Sequence, residues 1–252
     1  MKRLPPGAGW DDGSDSAGAR ADTTNMSPLP PTSNLLAPAG VETSGPAALT
    51  WANPTDITVA IANHTINGQG IGFSHPLPPN AISLLQEAER AWEAVANVHF
   101  VNVDDSGSTA ASAAEIRVGL AQLSSMGFIG YTSYSWDGHN NFRNGTVVAL
   151  NDVGAGNVTS LANGNARFNG DEATVFQDLL HELGHALGLA HNPYNPASIM
   201  NPTLGSSNPY INSQDATALR ALYGAPSASA VSEALADPTL TALLPWPGAA
   251  TV

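Results

Sequence analysis

Residues 181–191 read His-Glu-Leu-Gly-His-Ala-Leu-Gly-Leu-Ala-His, and few folds can hold that string. His181 and His185 are four residues apart, so on a helix they share a face about one turn from each other and can bind one metal ion. Gly188 interrupts the helix where a residue without a side chain bends the backbone at least cost, and the turn can swing His191 back to the same point. Three neutral imidazoles at roughly 2.0–2.1 Å form a Zn2+ site whose fourth tetrahedral position stays open, the signature of a catalytic rather than a structural zinc. Glu182 lies beside the first histidine. A lone histidine on an apolar helix face is usually a core residue. Five specified residues in fixed register arise by chance in a chain of this length with a probability on the order of 10⁻⁵, which sets that reading aside.

The rest of the composition narrows the function by exclusion. A formal charge of −13 with 8 Lys and Arg argues against nucleic acid or an anionic membrane surface as a partner. There is no cysteine, so disulfides, thiolate ligands and a cysteine nucleophile are ruled out. No apolar run approaches the roughly 20 residues needed to span a bilayer, so membrane insertion is not expected. Met1-Lys2-Arg3 is followed by Leu4-Pro5-Pro6-Gly7 where an apolar helix should be, so no cleavable signal is expected.

Residues 1–48 are rich in Pro, Gly, Ser, Asp and Asn without apolar periodicity and read as a flexible arm or propeptide. The folded domain is expected over 49–224, and 225–252 reads as an Ala-, Pro- and Ser-rich tail. Within the domain, strands are predicted at 56–61, 99–103, 115–120, 129–134 and 146–150, with a loop at 136–144. A long amphipathic helix is predicted over 81–97 after Pro78-Pro79-Asn80. Asp171 is expected to cap the helix that carries the histidines, and Ser213 a last helix ending at Tyr223-Gly224. Gly184, inside the first of these, costs about 1 kcal/mol against alanine, which implies that something packs closely on it.

The HExxHxxGxxH string, followed by Ser198-Ile199-Met200-Asn201, resembles the metzincin zinc endopeptidases. Asn212-Ser213-Gln214-Asp215 leading into Ala221-Leu222-Tyr223-Gly224 is similar to the terminal helix of the matrixins and serralysins, and Ala91-Trp92-Glu93, Val98-His99-Phe100 and Ala114 to Gly119 to their front half. The resemblance implies an α+β fold: a twisted, mostly parallel five-stranded sheet with two long helices, and a small C-terminal subdomain with the Met-turn and the terminal helix. It implies that His181, His185 and His191 bind Zn2+, that Glu182 is the catalytic base, and that Met200 and Gly188 give structural support. It implies an endopeptidase acting on a protein or peptide substrate, with 129–134 as the strand that pairs with it and the loop from His191 to about Tyr210 lining a pocket. A monomer in an extracellular setting is expected. Ca2+ is compatible with the Asn and Asp loops, such as Asn151-Asp152 or Asn169 to Asp171, with no ligands assigned. Asp137 and His139 resemble part of a second zinc loop whose other ligands are not evident, and His64, His75 and His99 read as structural. Tyr194 and Tyr210 read as surface or packing residues.

Two departures matter. Serralysins place a zinc-binding tyrosine two residues after the turn methionine, and Pro202 stands there, as in a matrixin-like chain. Many matrixins are silenced by a propeptide cysteine, and this chain has none. If the arm inhibits, an aspartate such as Asp11, Asp12, Asp15 or Asp22 could take the open position, since carboxylates are acceptable zinc ligands. The alternative reading is a catalytically weak, zinc-dependent peptide-binding protein, a degenerate peptidase. Glu182 speaks against it.

Overall fold

β4 (Ile116–Ala121) and β6 (Thr146–Asn151) are buried along nearly their whole length, as expected of central strands covered on both faces. In the computed structural model, which describes residues 19–25, 48–62, 72–106, 114–154, 157–161 and 164–243, these two pair in parallel. β2 (Ile57–Ile61) and β3 (Phe100–Val103) continue the parallel run on one side. On the other side β5 (Phe128–Ser135) runs antiparallel to β6. These five strands form the mostly parallel sheet that the resemblance implies. A sixth joins them. Residues 19–25, here β1, pair antiparallel with β5, giving the order β1-β5-β6-β4-β2-β3. The arm's composition predicts no regular element there; the strand forms against an edge whose backbone groups would otherwise lack partners.

Helix α1 (Pro79–Glu93) crosses between β2 and β3. It starts early because proline at its first position gives up an N–H that has no helical partner anyway. Leu84, Leu85, Ala88, Ala91 and Trp92 form its buried stripe. Helix α2 (Val175–Ala186) lies beside it and against β5 and β6. One large core joins both helices to the sheet, and a smaller cluster around Phe73, Leu123, Tyr131 and Val147 adds to the packing.

Both predicted caps move. Asp171 accepts the N–H of Ala173 (2.9 Å), and α2 is capped by Thr174. Its hydroxyl accepts from the N–H of Gln177 at 3.2 Å, while the Gln177 side chain accepts the Thr174 N–H at 3.0 Å. In the same way Asn212, not Ser213, caps α3 (Ser213–Tyr223), in reciprocal bonding with Asp215. A short antiparallel pair, β7 (Val158–Ser160) with β8 (Ala166–Phe168), precedes α2, in a stretch for which the sequence predicts no strands. Nor is the stretch after 225 without regular structure. Alanine-rich α4 (Ala228–Ala236), capped by Ser227, and α5 (Pro238–Leu243) pack on α1. Ala234 and Leu240 are buried, and Arg90 meets Asp237 at 3.5 Å.

Glu89 of α1 is buried, with Asn102 of β3 donating to Oε2 at 3.0 Å. Burial pushes its pKa up to about 7. A carboxyl whose folded pKa exceeds its unfolded value of about 4.3 stabilises the fold below that value, and the contribution is lost as pH rises through 7. Glu89→Gln is therefore expected to flatten the fall in stability between about pH 4.5 and 7 and to raise stability at pH 8 by roughly 1–3 kcal/mol. Denaturant titrations of both proteins at the two pH values check this. A parallel fall with pH in the variant would assign the slope to other groups.

Candidate metal centre

Every residue of α2 is buried, so its histidines and carboxylates are held by surrounding structure rather than by solvent. The helix ends at Ala186 because Gly188 takes a φ of 95°. The N–H of Gly188 then reaches the carbonyl of His185 and that of Leu189 the carbonyl of Gly184, both at 2.9 Å. This pair of bonds closes a helix on a left-handed glycine. The chain leaves at an angle that returns His191 to the helix.

Two backbone carbonyls decide the state of the rings. His181 Nδ1 lies 2.7 Å from the carbonyl oxygen of Ile199, and His185 Nδ1 lies 2.7 Å from that of Leu189. A carbonyl only accepts, so both Nδ1 atoms carry the proton and both Nε2 atoms are left with lone pairs. Those Nε2 atoms face each other at 2.9 Å, and His191 Nε2 lies 3.2 Å from that of His181. Facing lone pairs repel unless a cation lies between them. Two ligands on a tetrahedral zinc at 2.0–2.1 Å are separated by about 3.3 Å, close to the spacing found. Three imidazoles with their ligating atoms within 4.8 Å of one another fit a zinc site.

Glu182, next to His181 in sequence, is fully buried. The Thr132 hydroxyl of β5 lies 2.6 Å from Glu182 Oε2 and 3.0 Å from its backbone oxygen. Two residues earlier in β5, a Cβ on Gly130 would stand 2.5 Å from Glu182 Oε1 and would collide with Asp178 Oδ1. Glycine lets the strand press onto the helix at the level of the carboxylate.

Beneath the helix, Met200 fills the place that the missing side chain of Gly184 leaves. A Cβ there would strike its sulfur and come within 3.2 Å of Trp92. This is the close packing that a glycine in mid-helix implied. The turn holding Met200 is tied to α3: the Asp215 carboxylate bonds the Ser198 hydroxyl and accepts the N–H of Ile199 at 3.0 Å. Burial raises the Asp215 pKa, against the lowering effect of these bonds. Since the carbonyl of Ile199 orients His181, the cap of α3 reaches the ring through one short chain of hydrogen bonds. Trp51 Nε1 and the Tyr223 hydroxyl donate to the carbonyls of Ala186 and Leu187, at 2.9 and 3.1 Å, closing the other end of α2.

The other candidates fall elsewhere. His75 meets Asp152 at 2.6 Å, His99 meets Glu93 at 2.9 Å, and His139 lies 3.8 Å from Asp137. His64 lies outside the described residues. The three helix-and-turn histidines are the only metal-sized group of three or more among the described residues, so Asp137 and His139 gather no further ligands there. Asp137 instead builds a turn, accepting the N–H groups of His139 and Asn141. Asn151 Oδ1 accepts from Leu123 and Ser124, and Asp152 from Ser74. Tyr194 is exposed, and Tyr210 packs partly buried against the core.

The sequence pattern gives no contact for Thr132, Ser198, Ile199 or Asp215, because their partners lie far along the chain. Only the Asn212-x-x-Asp215 cap carried a local signal. The family model described as Matrixin matches residues 50–224, a span that contains β2 to β6, both long helices, the methionine turn and α3. With its three-histidine group on that fold, the chain belongs to the matrixin family of metallopeptidases.

Proposed function

We propose that this chain is a zinc-dependent endopeptidase whose catalytic domain spans residues 49–224, with His181, His185 and His191 as the metal ligands and Glu182 as the general base. The observation that carries the reading is the pair of backbone carbonyls that fix the protons of His181 and His185 on Nδ1 and leave both Nε2 lone pairs facing each other. His181, His185 and His191 would hold a zinc ion, which would supply Lewis acidity and lower the pKa of a water there. Glu182 would act as the general base, taking a proton on its carboxylate and returning it to the leaving amine nitrogen. Thr132 holds the carboxylate in place meanwhile. Gly130 keeps β5 close enough for an extended substrate backbone on its edge to lie over the site. Gly188 and Met200 support the ring positions from the turn and from below.

Denatured casein is the simplest probe. Hydrolysis by the zinc-loaded protein is expected to stop with a strong chelator and to return on adding zinc. It should fall in acid, because protons compete with the metal for the imidazoles. Cleavage indifferent to chelation would exclude a metallopeptidase mechanism.

A further inference from the structure

Asp178 is fully buried on α2, and the chemistry described so far makes no use of it. It stands four residues before Glu182, so the two carboxylates share a helix face one turn apart. A Cβ on Gly130 would collide with Asp178 Oδ1 and lie 2.5 Å from Glu182 Oε1. Two oxygens that crowd one point are no more than about 5 Å apart. Among the acidic side chains considered for the site, Asp11, Asp12 and Asp15 lie outside the described residues, and Asp178 is the one whose contacts put it beside Glu182. We propose that Asp178 is a specificity-determining residue, favouring substrates with lysine or arginine immediately after the scissile bond. The proposal rests on the peptidase reading above and names the substrate class of that same site.

The leaving amine carries the argument. Glu182 returns a proton to that nitrogen, so the nitrogen comes within about 2.6–3.2 Å of its carboxylate. The residue after the cut begins at this atom, and its Cα is one bond of about 1.46 Å further on. Its side chain therefore starts close to Glu182 and within one helix turn of Asp178. Along α2, Asp178 precedes Glu182 and His185 follows it, so the second carboxylate lies at the end of the site away from His185. Two carboxylates this close would repel in isolation. A divalent cation on three neutral imidazoles offsets that, and both keep their charge.

Charge then decides which side chain gains. A unit cation about 7 Å from a buried carboxylate, at an effective dielectric of about 20, gains enough for a preference of order tenfold to a hundredfold. Contact is not required, because salt screens a buried charge poorly. Glutamate at the same place is disfavoured, and leucine feels neither effect. Lysine and arginine also suit the apolar walls, since their stems are apolar and only the tips are charged. The whole chain acts in the same direction: 21 Asp and Glu against 8 Lys and Arg give a field that steers basic peptides toward the protein.

The test uses the full chain, zinc-loaded, and peptides that differ only after the scissile bond, where they carry lysine, leucine or glutamate. Mass spectrometry fixes the bond cut, and kcat/KM is measured for each peptide. Dissociation constants for the same peptides are measured on zinc-loaded Glu182→Gln, with and without Asp178→Asn, so that binding is read where turnover is removed. Lysine is expected to exceed leucine by about tenfold, and glutamate by more, in both kcat/KM and affinity. Asp178→Asn keeps the size of the side chain and removes its charge, and it should bring the three peptides within about twofold. A merely structural role would lower all three values together and leave their ratios unchanged. Leucine equal to or above lysine in the parent would overturn the proposal without any variant, as would a lysine preference that survives Asp178→Asn. If the parent cuts none of the peptides while the affinity ratio still depends on Asp178, the peptidase reading fails and the charge selection stands. If all three are cut and bound equally, the peptidase reading survives and the selection does not.

Discussion

Glu182→Gln is expected to lower casein hydrolysis by about 10²–10⁴-fold, the usual contribution of a positioned general base, while zinc content stays at one ion per chain. Glutamine has nearly the volume of glutamate, and its carbonyl oxygen can still accept from the Thr132 hydroxyl, now 2.6 Å from Oε2. The fully buried side chain therefore keeps its packing, and what disappears is a group able to take a proton. A loss of 10³-fold corresponds to about 4 kcal/mol of transition-state stabilisation. The measurement is initial rate beside zinc content and melting temperature for both proteins. Wild-type rates in the variant would remove Glu182 from the proton transfer. No cleavage by either protein, with zinc bound and peptide retained, would favour the peptide-binding alternative.

How far the sequence could be read follows from the distance over which each signal acts. The histidine helix and its break at Gly188 are local patterns found where periodicity and glycine place them, whereas the turn at Met200 is expected from the family resemblance alone. The α2 cap was misplaced by three residues because Asp171 and Thr174 are both acceptable caps; the glutamine three residues after Thr174 was the signal that separates them. What stayed hidden is contact between distant segments. Nothing local says that Thr132 meets Glu182, 50 residues away, or that Trp51 closes α2 from 135 residues away. The pairing of residues 19–25 is the strongest case, since a short polar strand has no pattern of its own and exists only against an edge that needs one. The helices after 225 escape the sequence for a related reason: a composition of Ala, Ser and Pro suits a tail, and the burial of Ala234 and Leu240 arises in helices that pack on α1 and on each other.

Gly188→Ala is expected to damage the site severely. At a φ of 95° an L side chain is strained, and the added Cβ would collide with the backbone oxygen of Leu49. Neither side can yield easily. Leu49 is buried and precedes Thr50 and Trp51, which bond to Asn140, Phe142, Tyr223 and Ala186. Gly188 belongs to the turn whose next residue, Leu189, orients His185, and which leads to His191. Strain and overpacking together are expected to cost about 2–4 kcal/mol of stability. Displacement of two of the three rings should weaken zinc binding by at least about tenfold, the effect usual for lost ligand orientation. Gly184→Ala supplies the contrast. Its new methyl meets the sulfur of Met200, the end of a flexible side chain that can move, and alanine gains about 1 kcal/mol of helix propensity, so a smaller loss is expected. Melting temperatures with and without zinc, and competition with a chromogenic chelator, measure both quantities in both variants. If Gly188→Ala binds zinc as tightly as the parent, the turn is not what brings His191 to the site.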